Sequence, residues 1–272
     1  MEGGPPRPEP GRRSPDDIVG YLASTGPAAV ALSGGVDSSV SAWLLQRALG
    51  PRARAVTFSG SAVPLREVEQ AREVARAIGI AHAVIGADPL GVAEYRSNPS
   101  NRCYFCRTHE AERLRAWGLP RGIDRFVDGI HLDDLGDDRP GLRAMDEAGF
   151  LHPLLWARWR KADVRAFARS VGLPNADRPS DACLASRVRH GVPITADLLD
   201  RVSRAEDGLH RRGFRRVRVR VDALGARIEV GADEVARLLQ EPTATEVRTE
   251  VEGFGLGPVV LDPRGYRWRP AA

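Results

Sequence analysis

One feature constrains this chain more than any other: apolar runs of strand length are followed, at crossover spacing, by amphipathic helical stretches. Ser14 as a cap, Pro15 at the first helical position and two acids open "SPDDIVGYLASTG" as a helix. "PAAVAL" then predicts a buried strand, "SVSAWLLQRAL" a helix, "RARAVTF" a strand and "PLREVEQAREVARAIG" a long amphipathic helix. "HAVIGA" and "RFVDGI" predict further strands with the helical "YFCRTHEAERLRAWG" between them, and "KADVRAFARSVGLP" predicts a helix closed by Gly172 and Pro174. Strand and helix in turn at this length predict an α/β fold with a doubly wound parallel sheet, in which ligands bind at the carboxyl ends of the strands.

The texture changes after residue 195. "TADLLDRVSRAEDGLHRRG" is helical, "FRRVRVRVD" alternates at period two, "ARIEVG" and "PVVLD" are strands, and "TATEVRTEVEGFG" is helical, which predicts a small α+β C-terminal domain. The expected organisation is a flexible tail over 1–13, the α/β domain over 14–190 and the small domain over 191–272, with the junction between Val188 and Ile194. The opening "MEGGPPRPEPGRR" has no apolar stretch to repay the entropy of ordering. No signal-peptide core or membrane-length apolar run follows, so a cytoplasmic protein without a membrane partner is expected.

The most informative turn is "AVALSGGVDSSVSAWLL". A strand ending at Leu32 delivers Ser33, Gly34 and Gly35 to the start of a helix, where unpaired N–H groups and the helix dipole favour an anion. The glycines let backbone approach phosphate, and Ser38 and Ser39 add hydroxyl donors. Asp37 is repelled by bare phosphate and fits better beside a metal ion that bridges phosphates. The lysine that grips phosphates in a Walker loop is missing, so the loop is suited to holding pyrophosphate as a leaving group.

Charge narrows the partners. The formal net charge is +4, and every basic side chain except Lys161 is arginine, whose planar fork suits carboxylates and phosphates. These charges are scattered, and "HRRGFRRVRVR" equally describes one exposed sheet face, so tRNA is not expected as a partner.

Three cysteines argue against a disulfide framework and leave metal binding, catalysis or burial. Cys103 and Cys106 form C-x-x-C, and Cys183 is a distant third. Zinc would need a fourth ligand, for which His109 is a candidate, whereas a cubane iron–sulfur cluster on three thiolates leaves one iron open. A redox C-x-x-C fits the spacing but leaves the third thiol unexplained.

"SGGVDSS" resembles the PP-loop of the N-type ATP pyrophosphatases, which adenylate a carbonyl or carboxyl oxygen and release pyrophosphate. "FSGSAVPLREVEQAREVARAIGI", "NRCYFCRTHE", "DGIHLDDLGDDRPGLRA", "KADVRAFARSVGLPNADRPSDACLASR" and "TADLLDRVSRAEDGLHRRGFRRVRVRV" together resemble the LarE-type sulfur transferases, which help build the nickel-pincer nucleotide cofactor. The resemblance implies ATP and Mg²⁺ as cofactors. It implies nucleotide contacts from Ser33, Gly34, Gly35, Asp37, Ser38, Ser39, Ser59, Gly129, Asp133, Asp134, Arg139 and Ser186. Lys161, in "KADVR", is similar to nucleotide contacts in this superfamily, although a lysine at a helix start is usually a surface residue.

Cys183 matches the sulfur-handling cysteine, with Asp37 and Arg187 as its catalytic companions, and Arg187 is expected to orient a substrate anion. Some family members carry only that cysteine and sacrifice its sulfur, while others have three and resemble cluster enzymes. This chain, with Cys103, Cys106 and Cys183, is expected to hold a [4Fe-4S] cluster that carries sulfide from a sulfur donor. The implied substrate is a nucleotide bearing carboxylates, pyridinium-3,5-biscarboxylic acid mononucleotide, and the implied assembly a homo-hexamer. The sequence departs from the family at His131, where asparagine is usual, at Asp138, and in "VRVRVDALGARIEV". A tRNA 2-thiolating enzyme and a non-catalytic nucleotide or iron–sulfur sensor are the alternative readings.

Overall fold

The computed structural model describes residues 11–136, 140–178 and 183–266. Four strands, β1 (Ala28–Ala31), β2 (Ala53–Ser59), β3 (Ala81–Gly86) and β4 (Arg125–Val127), form a sheet in the order β3-β2-β1-β4. Every pairing is parallel, with Ala28 opposite Ala53 on one side and opposite Arg125 on the other. The period of two sorts the strand residues between two apolar layers. Ala28, Val30, Ala53 and Ala55 pack with the helices Pro15–Ala23, Val36–Leu49, Leu65–Ile78 and Lys161–Ser170. Ala29, Val56 and Phe58 face Ala111 and Leu114 of Arg102–Gly118 and Met145 of Pro140–Glu147. The sheet is therefore covered by helices on both faces, as a doubly wound α/β fold requires.

Local signals explain several boundaries. Ser14 Oγ accepts from the Asp17 N–H while Asp17 bonds back to the Ser14 N–H, a reciprocal cap that starts the first helix with Pro15 inside it. Val36–Leu49 starts after Gly35, an N-cap that offers no side-chain oxygen, so no side chain of its cap residue spends the N–H groups at the amino end of this helix. Part of the expected tail is tied down: Arg12 pairs with Asp163 at 2.8 Å, Arg13 stacks its guanidinium 4.1 Å from the Trp156 ring centroid, and the Arg13 carbonyl accepts from Trp159 Nε1.

A second sheet contains β5 (Val217–Asp222), β6 (Gly225–Val230) and β7 (Val259–Leu261), with β5 and β6 antiparallel and β6 and β7 parallel. Its core is made by Val217, Val219, Ile228 and Val230 together with Leu199, Val202 and Leu209 of the helix Ala196–Arg211 and Val247 and Val251 of Thr243–Gly253.

The chain divides into compact units differently from the single boundary expected after residue 190. Described residues within 1–59, 65–87 and 107–181 form one unit, and those within 60–64, 88–106 and 182–272 form the other. The interleaving has a physical cause inside the second unit. Asn98 is completely buried with φ +56°, and its Nδ2 donates to the carbonyls of Arg189 (2.9 Å) and Val192 (2.8 Å) while its own carbonyl accepts from the Gly191 N–H. The Leu184 N–H donates to the Ala62 carbonyl and the Ile194 N–H to the Arg96 carbonyl. These bonds stitch 60–64 and 88–106 to the segment around Cys183. Among the described residues, no helix is long and apolar enough to cross a membrane.

Candidate functional site

The loop after β1 is built around two positions that only glycine suits. Gly34 has φ +81°, and a Cβ there would lie 3.1 Å from the Glu67 carbonyl oxygen and 3.2 Å from the Ala71 nitrogen. Gly129, just past the carboxyl end of β4, comes so close to the loop that a Cβ would stand 2.6 Å from Ser38 N and 2.7 Å from Asp37 C. Gly35 is under no such constraint, since its φ is −76°.

The serine hydroxyls hold the loop itself. Ser33 N–H donates to Ser38 Oγ at 3.1 Å, Ser38 Oγ donates to the Gly35 carbonyl at 3.0 Å and Ser39 Oγ to the same carbonyl at 2.8 Å. Asn175, 1% exposed, closes the network by donating to the Gly34 carbonyl at 2.7 Å and to Ser39 Oγ at 2.9 Å. Ser39 is completely buried, so its hydroxyl serves the loop rather than a ligand as expected. Ser59, at the end of β2, accepts from the Ala87 N–H through its carbonyl and donates from Oγ to the Ile85 carbonyl at 3.4 Å.

Lys161 reaches this loop. Its Nζ donates to both Asp37 oxygens, at 2.7 and 2.6 Å, from the first position of Lys161–Ser170. His131 is buried beside the pair, with Nε2 3.5 Å from Asp37 Oδ1 and Nδ1 3.4 Å from Asp134 Oδ2. The only lysine of the chain and a departing histidine thus meet the one loop carboxylate. Asp133 accepts from the Lys161 N–H and from Arg160 Nη1, each at 2.8 Å. Burial works against its charge, but these bonds and the neighbouring His131 and Arg160 hold its carboxyl below the usual range. Asp133 therefore anchors the helix that carries Lys161, and Asp134 anchors its own turn by accepting from the His131 N–H at 3.1 Å. Arg139 and Asp138 lie outside the described residues.

The cysteines belong to the other unit. Cys103, Cys106 and Cys183 all fall there, none is in a disulfide, and Cys106 is half-buried while the other two are exposed. His109, the rival ligand, falls in the loop's unit. Among the described residues, no three His, Cys, Asp or Glu side chains already converge as a metal centre. A buried Tyr95 nevertheless lies within electrostatic reach of all three thiols: burial, then Cys183 and Cys106, and more weakly Cys103, push its hydroxyl far above its ordinary acidity range. Tyr95 Oη and Arg102 Nε are buried polar atoms without a hydrogen-bond partner among the described residues.

Arg187 is not placed as expected. It is 1% exposed, and its Nε and Nη2 donate to Glu206 Oε1 and Oε2 at 2.8 and 3.0 Å in a fully buried fork. Its Nη1 donates to the Cys183 carbonyl at 3.2 Å and to Ser186 Oγ at 3.1 Å. The guanidinium braces the turn that carries Cys183, and Ser186 is part of that brace. Sequence reasoning missed Asn175, Glu206, Tyr95 and Arg102; Arg102, Asn175 and Glu206 lay in stretches already marked as informative, and Tyr95 did not.

A parallel sheet whose first strand feeds a glycine-rich, pyrophosphate-suited loop at a helix start defines the class of the PP-loop ATP pyrophosphatases. The asparagine synthase family model, of this class, matches residues 18–97. An uncharacterized protein of Synechocystis sp. is 38% identical, covering 88% of this chain and 90% of its own length. The pyridinium-3,5-bisthiocarboxylic acid mononucleotide synthase of Lactiplantibacillus plantarum is 30% identical, covering 92% of this chain and 90% of its own length. A tRNA-specific 2-thiouridylase of Xanthobacter autotrophicus is 33% identical over 61% of this chain and 53% of its own length. This chain belongs to the LarE-type family of ATP-dependent sulfur transferases. Its activity is ATP-dependent sulfur transfer.

Proposed function

We propose that the protein converts the carboxylates of pyridinium-3,5-biscarboxylic acid mononucleotide to thiocarboxylates, one after the other. In the first half-reaction a carboxylate oxygen attacks the α-phosphorus of ATP, forming an acyl adenylate and releasing pyrophosphate. In the second, hydrosulfide attacks the acyl carbon, the C–O bond to AMP breaks, and thiocarboxylate, AMP and a proton leave. Adenylation replaces a poor oxyanion leaving group with AMP.

The loop's backbone from Ser33 to Ser39 would cradle the leaving pyrophosphate at the helix start. Lys161 supports a specific division of labour, because its Nζ sits on Asp37 and delivers to the loop the cation that the loop's own sequence lacks. Mg²⁺ arriving with ATP would neutralise further phosphate charge beside Asp37. Gly129 keeps that approach open, and Asp133 sets the helix from which Lys161 extends.

A [4Fe-4S] cluster on Cys103, Cys106 and Cys183 would supply the sulfur that is transferred. The observation that carries this reading is that the pair at 103 and 106 and the distant Cys183 share one unit around Tyr95, which a single sacrificial cysteine would not need. Arg187 and Glu206 then act as positioning residues for Cys183. A hexameric assembly is part of the same reading and is checked by native mass spectrometry.

The test is mass spectrometry of the biscarboxylate nucleotide after incubation with ATP, Mg²⁺, sulfide and anaerobically reconstituted protein. The expected product carries sulfur in place of oxygen once and then twice, with stoichiometric pyrophosphate. No pyrophosphate release with this acceptor would remove the substrate assignment, and dehydroalanine at Cys183 after turnover would replace the cluster with a sacrificed cysteine.

A further inference from the structure

The stretch "LHPLLWARWRKADVR" holds His152, a residue that the function proposed above does not use. Both of its ring nitrogens face carboxylate oxygens: Nδ1 lies 2.8 Å from Asp128 Oδ1 and Nε2 lies 2.9 Å from Asp146 Oδ1. A carboxylate only accepts, so both nitrogens carry hydrogen and the ring is an imidazolium. The two acids are not equivalent. Asp146, on Pro140–Glu147, is exposed and can be served by water, whereas Asp128 is 7% exposed.

Asp128 depends on this contact. Its Oδ2 is buried with no hydrogen-bond partner among the described residues, so the carboxylate is held through Oδ1, which accepts from His152 Nδ1 and from the Ile130 N–H at 3.1 Å. Without the imidazolium a buried charge would keep a single neutral donor, a state that proteins avoid by moving or neutralising the group.

What Asp128 holds is the turn 128–130, with Gly129 in its middle. The bond to Ile130 closes that turn, and the Asp128 N–H fastens its start to the Leu151 carbonyl at 3.2 Å. Gly129 packs against the start of Val36–Leu49, so closely that an added Cβ would stand 2.6 Å from Ser38 N. A chain of direct contacts thus runs from the ring through Asp128 and Gly129 to the phosphate loop, all within one unit.

We propose that His152 is a positioning residue for the phosphate loop: its imidazolium holds the Asp128 turn, and the turn holds Gly129 against Asp37 and Ser38. Where it concerns ATP the proposal rests on the loop reading above, and it adds a residue which that reading does not assign.

His152→Leu and His152→Asn in the full-length protein test this, by amide hydrogen exchange without nucleotide and by calorimetric titration with Mg²⁺-ATP. Asparagine places an N–H near the position of Nδ1 and can still serve Asp128, whereas leucine has no donor. His152→Leu should speed exchange across 33–39 and weaken ATP binding, each about tenfold, short of the hundredfold that a ~1 Å misplacement can cost. His152→Asn should recover most of both, and exchange over 217–230 should stay unchanged in either variant.

If His152→Leu is too unstable to titrate, His152→Gln, whose amide reaches toward Asp146 instead of Asp128, should show the same loosened loop. A loosened loop with unaltered ATP affinity, in His152→Leu and Gly129→Ala alike, would remove ATP from the loop and leave the link from His152 standing. Loop exchange equal to that of the parent overturns the proposal. So does exchange raised as much over Pro15–Ala23 as over the loop, or no recovery in His152→Asn, because the ring would then serve the fold at large.

Discussion

The phosphate loop and the turn that carries Cys183 differ in what holds them in place. At the loop, Ser33, Ser38, Ser39 and Asn175 bond one another or the loop carbonyls and Lys161 occupies both oxygens of Asp37, while Asn175 Oδ1 and the adjoining His131 Nδ1 are buried without a hydrogen-bond partner among the described residues. Around the cysteines, Tyr95 Oη and Arg102 Nε are likewise buried without a hydrogen-bond partner among the described residues, and the three cysteines form no disulfide. A loop held by its own hydrogen bonds is preorganised for a ligand that comes and goes, such as ATP and its pyrophosphate. The turn that carries Cys183 is held instead by the buried fork between Arg187 and Glu206, whose guanidinium also bonds the Cys183 carbonyl. On the function proposed above, adenylation falls to one unit and sulfur supply to the other.

The largest expected effect tests that fork. Glu206→Ala leaves the Arg187 guanidinium buried without its carboxylate and also strips the acceptor of the Val219 N–H. Removing one partner of such a pair should lower stability by about 3–5 kcal/mol, read by denaturant unfolding. If the loss is that of an exposed pair, under about 1 kcal/mol, Arg187 is not the brace described.

Next comes the loop cation. Lys161→Met should leave the fold intact and reduce pyrophosphate release from ATP by about 10²–10³-fold, the loss typical of removing one preorganised charge partner at a developing anion. Near-normal release would transfer the role to His131 or to the metal. Gly129→Ala sharpens the same side, since its Cβ would fall within 2.7 Å of loop backbone atoms and something must shift. Overpacking of this kind costs about 1–3 kcal/mol, and here it should raise the apparent KM for ATP as the loop is displaced.

The smallest effect is a pH dependence confined to the loop's unit. His152 is held between Asp128 (Nδ1 to Oδ1, 2.8 Å) and Asp146 (Nε2 to Oδ1, 2.9 Å). Burial disfavours its charge, but the two carboxylates prevail and its pKa rises above the ordinary value of about 6.5. A raised folded value stabilises fully below about pH 6.5 and is lost as pH climbs through it. His152→Gln should therefore cost most stability in mildly acidic buffer and progressively less toward alkaline pH; a constant difference would mean that the ring acts only by packing.

Much of this was legible in the sequence because its signals are local. The alternation placed β1 to β4 and their helices to within a few residues, Ser14 and Pro15 marked the first helix, and the glycines and Asp37 marked the loop. What stayed hidden depends on pairings between distant positions. The move of Cys103 and Cys106 into the second unit turns on Asn98, whose amide bonds carbonyls about ninety residues away. Arg187 read as an anion contact because nothing near it announces Glu206 across the second core. Tyr95 carried no mark at all, since a buried aromatic and a hydrogen-bonding one are spelled alike. Lys161 lies between these cases: its rarity was visible, and its contact with Asp37 was not.

The most direct measurement is made on Cys103→Ser, with ATP–pyrophosphate exchange and sulfur incorporation followed in the same preparation. Division of the chemistry between the two units predicts that exchange in the presence of the carboxylate acceptor continues unchanged while iron–sulfur absorbance and sulfur transfer are lost. Exchange lost together with sulfur transfer, or sulfur transfer surviving without this thiol, would contradict it.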